Sequence, residues 1–152
     1  MTAAPALVRT WNPLVRRLLR IGVPMRPNVL LTVRGRTSGE PRTAPVAIAE
    51  IAGHRYVIGA YGNVHWVRNL RAAGEADIDI HGRHEHVRAT ELDREAALVF
   101  FRDTVPSYTA RFPRLGRAFL QLLFRSVAPE VVLDPAKAAE TRPVFELEHV
   151  DR

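Results

Sequence analysis

From Val29 onward the chain breaks into short apolar runs, VLLTVRG, RTAPVAIAEI and RYVIGAY, and later EADIDIHG and RHEHVRATEL, each bounded by glycine, proline or polar residues. Runs of this length, rich in β-branched residues and alternating in polarity, are strands, and connections this short join them as antiparallel hairpins. A parallel doubly wound sheet needs a crossover of about a dozen residues or more after each strand. Only HWVRNLRAAG reads as a helix between strands, with Trp66, Leu70 and Ala73 on one side and Gly74 as its stop. EADIDIHG and RHEHVRATEL form a second hairpin turning at Gly82, and RPVFELEHV alternates like a closing strand. The expected fold is therefore mainly β (α+β), a small closed or half-closed antiparallel barrel with peripheral helices.

Two helical stretches follow the hairpins. Asp93 is a good N-cap for REAALVFFRDTV, and PRLGRAFLQLLFRSV flanks an apolar face with arginines. Before the first strand, Trp11, Leu14, Val15, Leu18, Leu19 and Gly22 share one helical face while Arg9, Arg16, Arg17 and Arg20 crowd the other, and Pro24 and Pro27 end the pattern. This basic amphipathic helix either packs its stripe on the core or lies on an anionic membrane. With 152 residues, 47% of them apolar, the chain has material for one core, so residues 1–27 read as helix and linker and 28–150 as a single barrel domain. The absence of cysteine excludes disulfides and thiolate metal sites. With nothing pointing to an oxidising compartment the expected location is the cytoplasm, and since no segment approaches the roughly 20 apolar residues of a membrane span, peripheral contact with the inner face of the cell membrane is the option left to the first helix.

A net charge of +6 and a pI near 10.9 favour anionic partners without choosing among them. The stretch GRTSGEPRTAP, residues 35–45, narrows the choice. Its glycines permit turn conformations in which backbone N–H groups converge, Thr37, Ser38 and Thr43 add hydroxyls, and Arg36 and Arg42 stand at the two ends of the turn. It is either a plain polar hairpin or a turn that holds a phosphate or carboxylate. A Walker-type phosphate loop is excluded, since no lysine follows and strands flank both sides.

Taken together, LLTVRGRTSGEPRTAPV, the strand ending in VIGAYGNVHWVRNLRAAGEADI, and VPSY resemble the deazaflavin-dependent nitroreductase family, whose members use reduced coenzyme F-420. The resemblance spans about Val29 to Tyr108 and implies a split β-barrel of the FMN-binding-like kind. It further implies that Arg36, Thr37, Ser38 and Arg42 hold the coenzyme phosphate and the start of its tail, with Thr43, Ala44, Pro45 and Val46 lining the adjacent wall. Gly59, Ala60, Tyr61 and Gly62 would lie against the deazaflavin, and His65, Trp66, Arg68 and Asn69 would close the site. Trp66 has a core position as its alternative. By the same resemblance Tyr108 is the catalytic residue, meeting the substrate and donating a proton, with a structural tyrosine as the alternative. Val105, Arg111 and Ala47 stand where the best-known pattern has further tyrosines, so the acceptor pocket differs.

The resemblance implies an oxidoreductase that passes a hydride from reduced F-420 to an electron-poor small molecule: a quinone, an enone or a nitro compound. An FMN-dependent oxidoreductase of the same fold, or a non-catalytic lipid or cofactor binder at the membrane surface, are the rivals. His81, His84 and His86 near the Gly82 turn suggest a metal, but Glu85 points to the other strand face and no further ligand is evident, so no metal is expected. Nucleic acid is not expected as a partner, because no groove-reading motif or basic–aromatic interleaving occurs. Nothing in the sequence demands a dimer.

Overall fold

The computed structural model describes residues 26–59, 61–80, 82–127 and 129–151. The amphipathic helix expected between Trp11 and Gly22 lies outside them. Strands β1 (Arg26–Arg34), β2 (Pro41–Ile51), β3 (His54–Ile58), β4 (Glu75–Ile80), β5 (Arg83–Glu91) and β6 (Val144–His149) close into an antiparallel barrel of order β1-β2-β3-β6-β5-β4. The barrel expected from the sequence is therefore the fold observed.

Strict alternation makes the barrel. In EADIDI, Ala76, Ile78 and Ile80 are buried while Glu75, Asp77 and Asp79 turn outward. Val29, Leu31, Val33, Val46, Ile48, Val57, Val87 and Leu147 supply the same interior from the other strands. Helix α1 (His65–Ala73) plugs one end, with Val67 and Leu70 wholly buried in that interior. Gly74, at φ 70°, ends α1 as expected and its N–H closes onto the Leu70 carbonyl at 2.8 Å. The β1–β2 turn and the loop after β3 lie at this same end; the turns at 52–53 and 82 lie at the other.

Helices cover the part of the outer face of β2, β3 and β6 that carries Ala49, Ile51, Tyr56, Ile58 and Val144. Helix α2 (Arg94–Val99) begins as expected at Asp93, whose carboxylate accepts from the Ala96 N–H at 2.8 Å. It then widens into a π-helical turn over Phe100–Thr104 before continuing as α3 (Val105–Thr109). Pro106 favours the widening, since it has no N–H to give the Arg102 carbonyl, and the Val105 N–H reaches the Phe100 carbonyl. The widening also brings two consecutive phenylalanines, Phe100 and Phe101, into one core with Ile51, Val131, Ala138 and Val144. Helix α4 (Arg114–Val127) corresponds to PRLGRAFLQLLFRSV. Two short helices, α5 (Glu130–Leu133) and α6 (Pro135–Thr141), were not anticipated. Asp134 caps α6 by accepting from the Lys137 N–H at 3.1 Å, with Pro135 in its first turn, which is the ordinary start signal in a very short segment.

Candidate functional site

Most of the residues singled out in the sequence converge on the end of the barrel plugged by α1. The turn after β1 is tied internally by the Gly35 N–H to the Glu40 carbonyl at 2.8 Å and the Gly39 N–H to the Gly35 carbonyl at 2.9 Å. Of its two glycines only Gly39, at φ 73°, uses the left-handed region. Asn69 of α1, only 6% exposed, holds the turn from below: its Oδ1 accepts from the Arg36 backbone N–H at 3.2 Å and from the Arg36 Nη1 at 2.8 Å. Asn69 thus reaches the turn through Arg36.

What remains open at the turn is a set of donors. Among the described residues, the backbone N–H groups of Thr37 and Ser38 and the Thr37 hydroxyl have no partner, and the Ser38 hydroxyl serves the Glu40 N–H at 3.3 Å. Arg42 lies directly opposite the buried Val33, so it continues the interior row of β2 past the barrel's rim. Arg34, which the sequence reading passed over, stands opposite Pro41 on the outer face; its place as the last strand residue before the turn was the available signal. Five arginines elsewhere meet carboxylates: Arg55 with Glu85, Arg71 with Glu91, Arg94 with Glu140, Arg102 with Asp103 and Arg142 with Glu130. Arg34, Arg36, Arg42 and Arg68 meet none. Helix α1 adds its own positive end, because Val64 provides no side-chain cap and the first turn holds no acid. Uncompensated guanidinium groups, free amides and an uncapped helix start fit a phosphate and carboxylate tail.

The wall beyond the turn is split. Ala44 and Val46 face inward opposite Leu31 and Val29, whereas Thr43 and Pro45 face outward. The Thr43 hydroxyl is bonded to that of Thr32 at 2.9 Å. Strand alternation therefore keeps these four side chains from lining one surface. β3 ends at Ile58; its pairing with β6 runs one bond further, the Gly59 N–H to the Pro143 carbonyl at 2.7 Å, and Pro143 has no N–H to return. Gly62 turns at φ 77° and Tyr61 is half-buried, while Ala60 lies outside the described residues. Burial raises the Tyr61 pKa, so at neutral pH it is a phenol able to donate. His65 and Arg68 are exposed on α1, and Trp66 is half-buried against the barrel interior, nearer its core alternative.

Gly59 is small for a reason within the fold. A Cβ there would sit 3.0 Å from Val67 Cγ2 and 3.2 Å from both the Gly62 carbonyl oxygen and Pro143 Cδ. Gly59→Ala should lower stability by about 1–3 kcal/mol. In thermal melts Val67→Ala should rescue part of that loss; a melting point equal to that of the parent in the single variant would refute the contact.

Tyr108 lies elsewhere. It is half-buried against the core of the helical layer, the cluster that Ile58 also borders, and its ring meets Phe112 edge-on at 4.9 Å. At the far end of the barrel His84 and His86 share the outer face as expected, each bonded at 2.8 Å to the aspartate opposite, Asp79 and Asp77. Glu85 turns inward to Arg55 at 2.7 Å, which holds its carboxyl below the usual range. His81 lies outside the described residues, and no group of three potential ligands converges among those described.

Residues 8–120 match the protein family described as F420H(2)-dependent quinone reductase. None of the curated proteins matches the chain. Among solved structures, one described as an F420-H2 dependent reductase, FDR-A, is 20% identical with a TM-score of 0.46, covering 81% of this chain and 95% of its own. One described as an F420 reductase is 14% identical with a TM-score of 0.44, over 85% and 91% of the two chains. A conserved hypothetical protein from Mycobacterium tuberculosis is 13% identical with a TM-score of 0.47, over 89% and 80%.

Proposed function

The chain belongs to the F420H(2)-dependent quinone reductase family, and from that premise we propose that it passes a hydride from reduced coenzyme F-420 to a quinone, with enones and nitro compounds as chemically related acceptors. The observation that carries this reading is the set of unspent donors around the β1–β2 turn. The coenzyme's phosphate and lactyl oligoglutamate tail would occupy the Thr37 and Ser38 amides and the Arg42 guanidinium. Arg36, fixed by Asn69, would face the same anion. When bound, the deazaflavin supplies the hydride.

The chain's own residues supply position and a proton. Gly59, Gly62 and the Tyr61 phenol would border the place where the flat ring lies. Tyr108 would hydrogen-bond the acceptor oxygen and give it a proton as negative charge develops. The half-buried layer around Tyr108 would hold the acceptor against the ring and keep water out.

Titration of the full chain with coenzyme F-420, followed by tryptophan fluorescence, should saturate at micromolar concentration. Absence of saturable binding, or a yellow protein that holds FMN instead, would overturn the reading. Arg42→Ala should weaken coenzyme binding by about 10- to 100-fold, the scale of one hydrogen bond to a charged group. Tyr108→Phe should instead lower kcat by about 100-fold with coenzyme affinity unchanged; an unaltered kcat would remove Tyr108 from the reaction.

A further inference from the structure

We infer that α4 (Arg114–Val127) seats the protein on an anionic lipid surface, lying in the headgroup plane. The helix has one side turned to the protein, where Leu120 is 1% exposed, and another turned to solvent that is unusually apolar. Leu115 and Leu122 are 87% and 65% exposed, and Ala118 between them is exposed as well. Their spacing, three and then four residues, puts all three on one stripe. The Ser126 hydroxyl, at the end of that stripe, is turned back onto the Leu122 carbonyl at 2.8 Å.

Charge identifies the partner. From Thr104 to Pro129 there is no acidic residue and there are four arginines, Arg111, Arg114, Arg117 and Arg125. Arg117 is turned to the protein, donating to the Ala110 and Phe112 carbonyls at 3.3 Å. The other three are exposed and meet no carboxylate among the described residues. Arg114 and Arg125 stand eleven positions apart, so they return to nearly the same side of the helix, flanking the leucine stripe. Leucines that enter the acyl boundary beside arginines that reach phosphates are the two attractions of an interfacial helix. A second copy of the chain is disfavoured on this face, since self-pairing would bring like charges together. At 14 residues, about 21 Å, α4 lies on a bilayer rather than through it, and no helix among the described residues is long and apolar enough to cross one.

The inference stands apart from the coenzyme reading and is tested without it. The full chain is sedimented with vesicles of phosphatidylcholine alone and with vesicles rich in phosphatidylglycerol. Binding is expected only to the second and should weaken with salt. The double variants Leu115→Ser/Leu122→Ser and Arg114→Glu/Arg125→Glu should each reduce the partition coefficient by about tenfold or more. Their melting curves should be unchanged, because the replaced side chains are exposed. The inference is overturned if the native chain stays in the supernatant, or if both variants bind like it, which would assign adhesion to the arginine-rich segment before β1. It is equally overturned if sedimentation equilibrium shows a dimer that the leucine variant converts to monomer.

Discussion

Asn69→Leu is expected to raise the dissociation constant for coenzyme F-420 by about 10- to 100-fold and to lower the unfolding free energy by about 1–3 kcal/mol. The side chain is buried, and its Oδ1 accepts both the Arg36 backbone N–H and the Arg36 guanidinium. Leucine fills a similar volume but leaves that N–H without an acceptor, so the turn detaches from α1 and its free amides lose their common aim. Asn69→Asp separates support from charge. A carboxylate keeps the acceptor and holds the turn, yet it neutralises Arg36 within a site meant for an anion. Its expected signature is near-native melting at neutral pH with coenzyme affinity reduced as in the leucine variant. Both quantities are read by thermal melts and fluorescence titration. A leucine variant that binds the coenzyme as tightly as the parent would sink the assignment of the turn to the coenzyme tail.

The asparagine also shows where sequence reasoning reached and where it stopped. Strands such as EADIDI announce themselves, because the twofold alternation is local and every position has one of two faces. The Gly74 stop and the Asp93 cap are equally local, and both are present. The contact between Arg36 and Asn69 joins residues 33 positions apart, and no periodicity encodes it. Family resemblance placed both near the coenzyme but not one upon the other. Thr43 to Val46 are a different case, since alternation alone implied that their side chains divide between two faces. The π-helical turn at Phe100–Thr104 could not be read from FFRDT, which is ordinary helical sequence; only the demand to bury two neighbouring aromatics, together with Pro106 downstream, widens it.

That turn sets the second large effect. Phe101→Ala should destabilise the protein by about 3–5 kcal/mol, the range for emptying a fully buried aromatic site. Phe101 is 0% exposed and stands edge-on to Phe100 at 5.3 Å, which in turn meets Tyr56 of β3 at 4.9 Å. These rings fasten the helical layer to the outer face of the barrel. The coenzyme donors belong to a different neighbourhood, the barrel rim, whose buried residues form a cluster separate from this one. Loosening the layer should therefore displace Tyr108, which packs in the same cluster, while leaving the β1–β2 turn and Asn69 in place. At a temperature where the variant is still folded, kcat should fall and the coenzyme dissociation constant should stay within about twofold of the parent value, since sites without shared partners respond independently. Equal losses in kcat and coenzyme affinity would mean that the two clusters act as one site. An unchanged kcat in a destabilised protein would mean that Tyr108 only helps to pack the layer. The partition of the barrel into a rim that holds the anion and a flank that holds the tyrosine is what this variant measures.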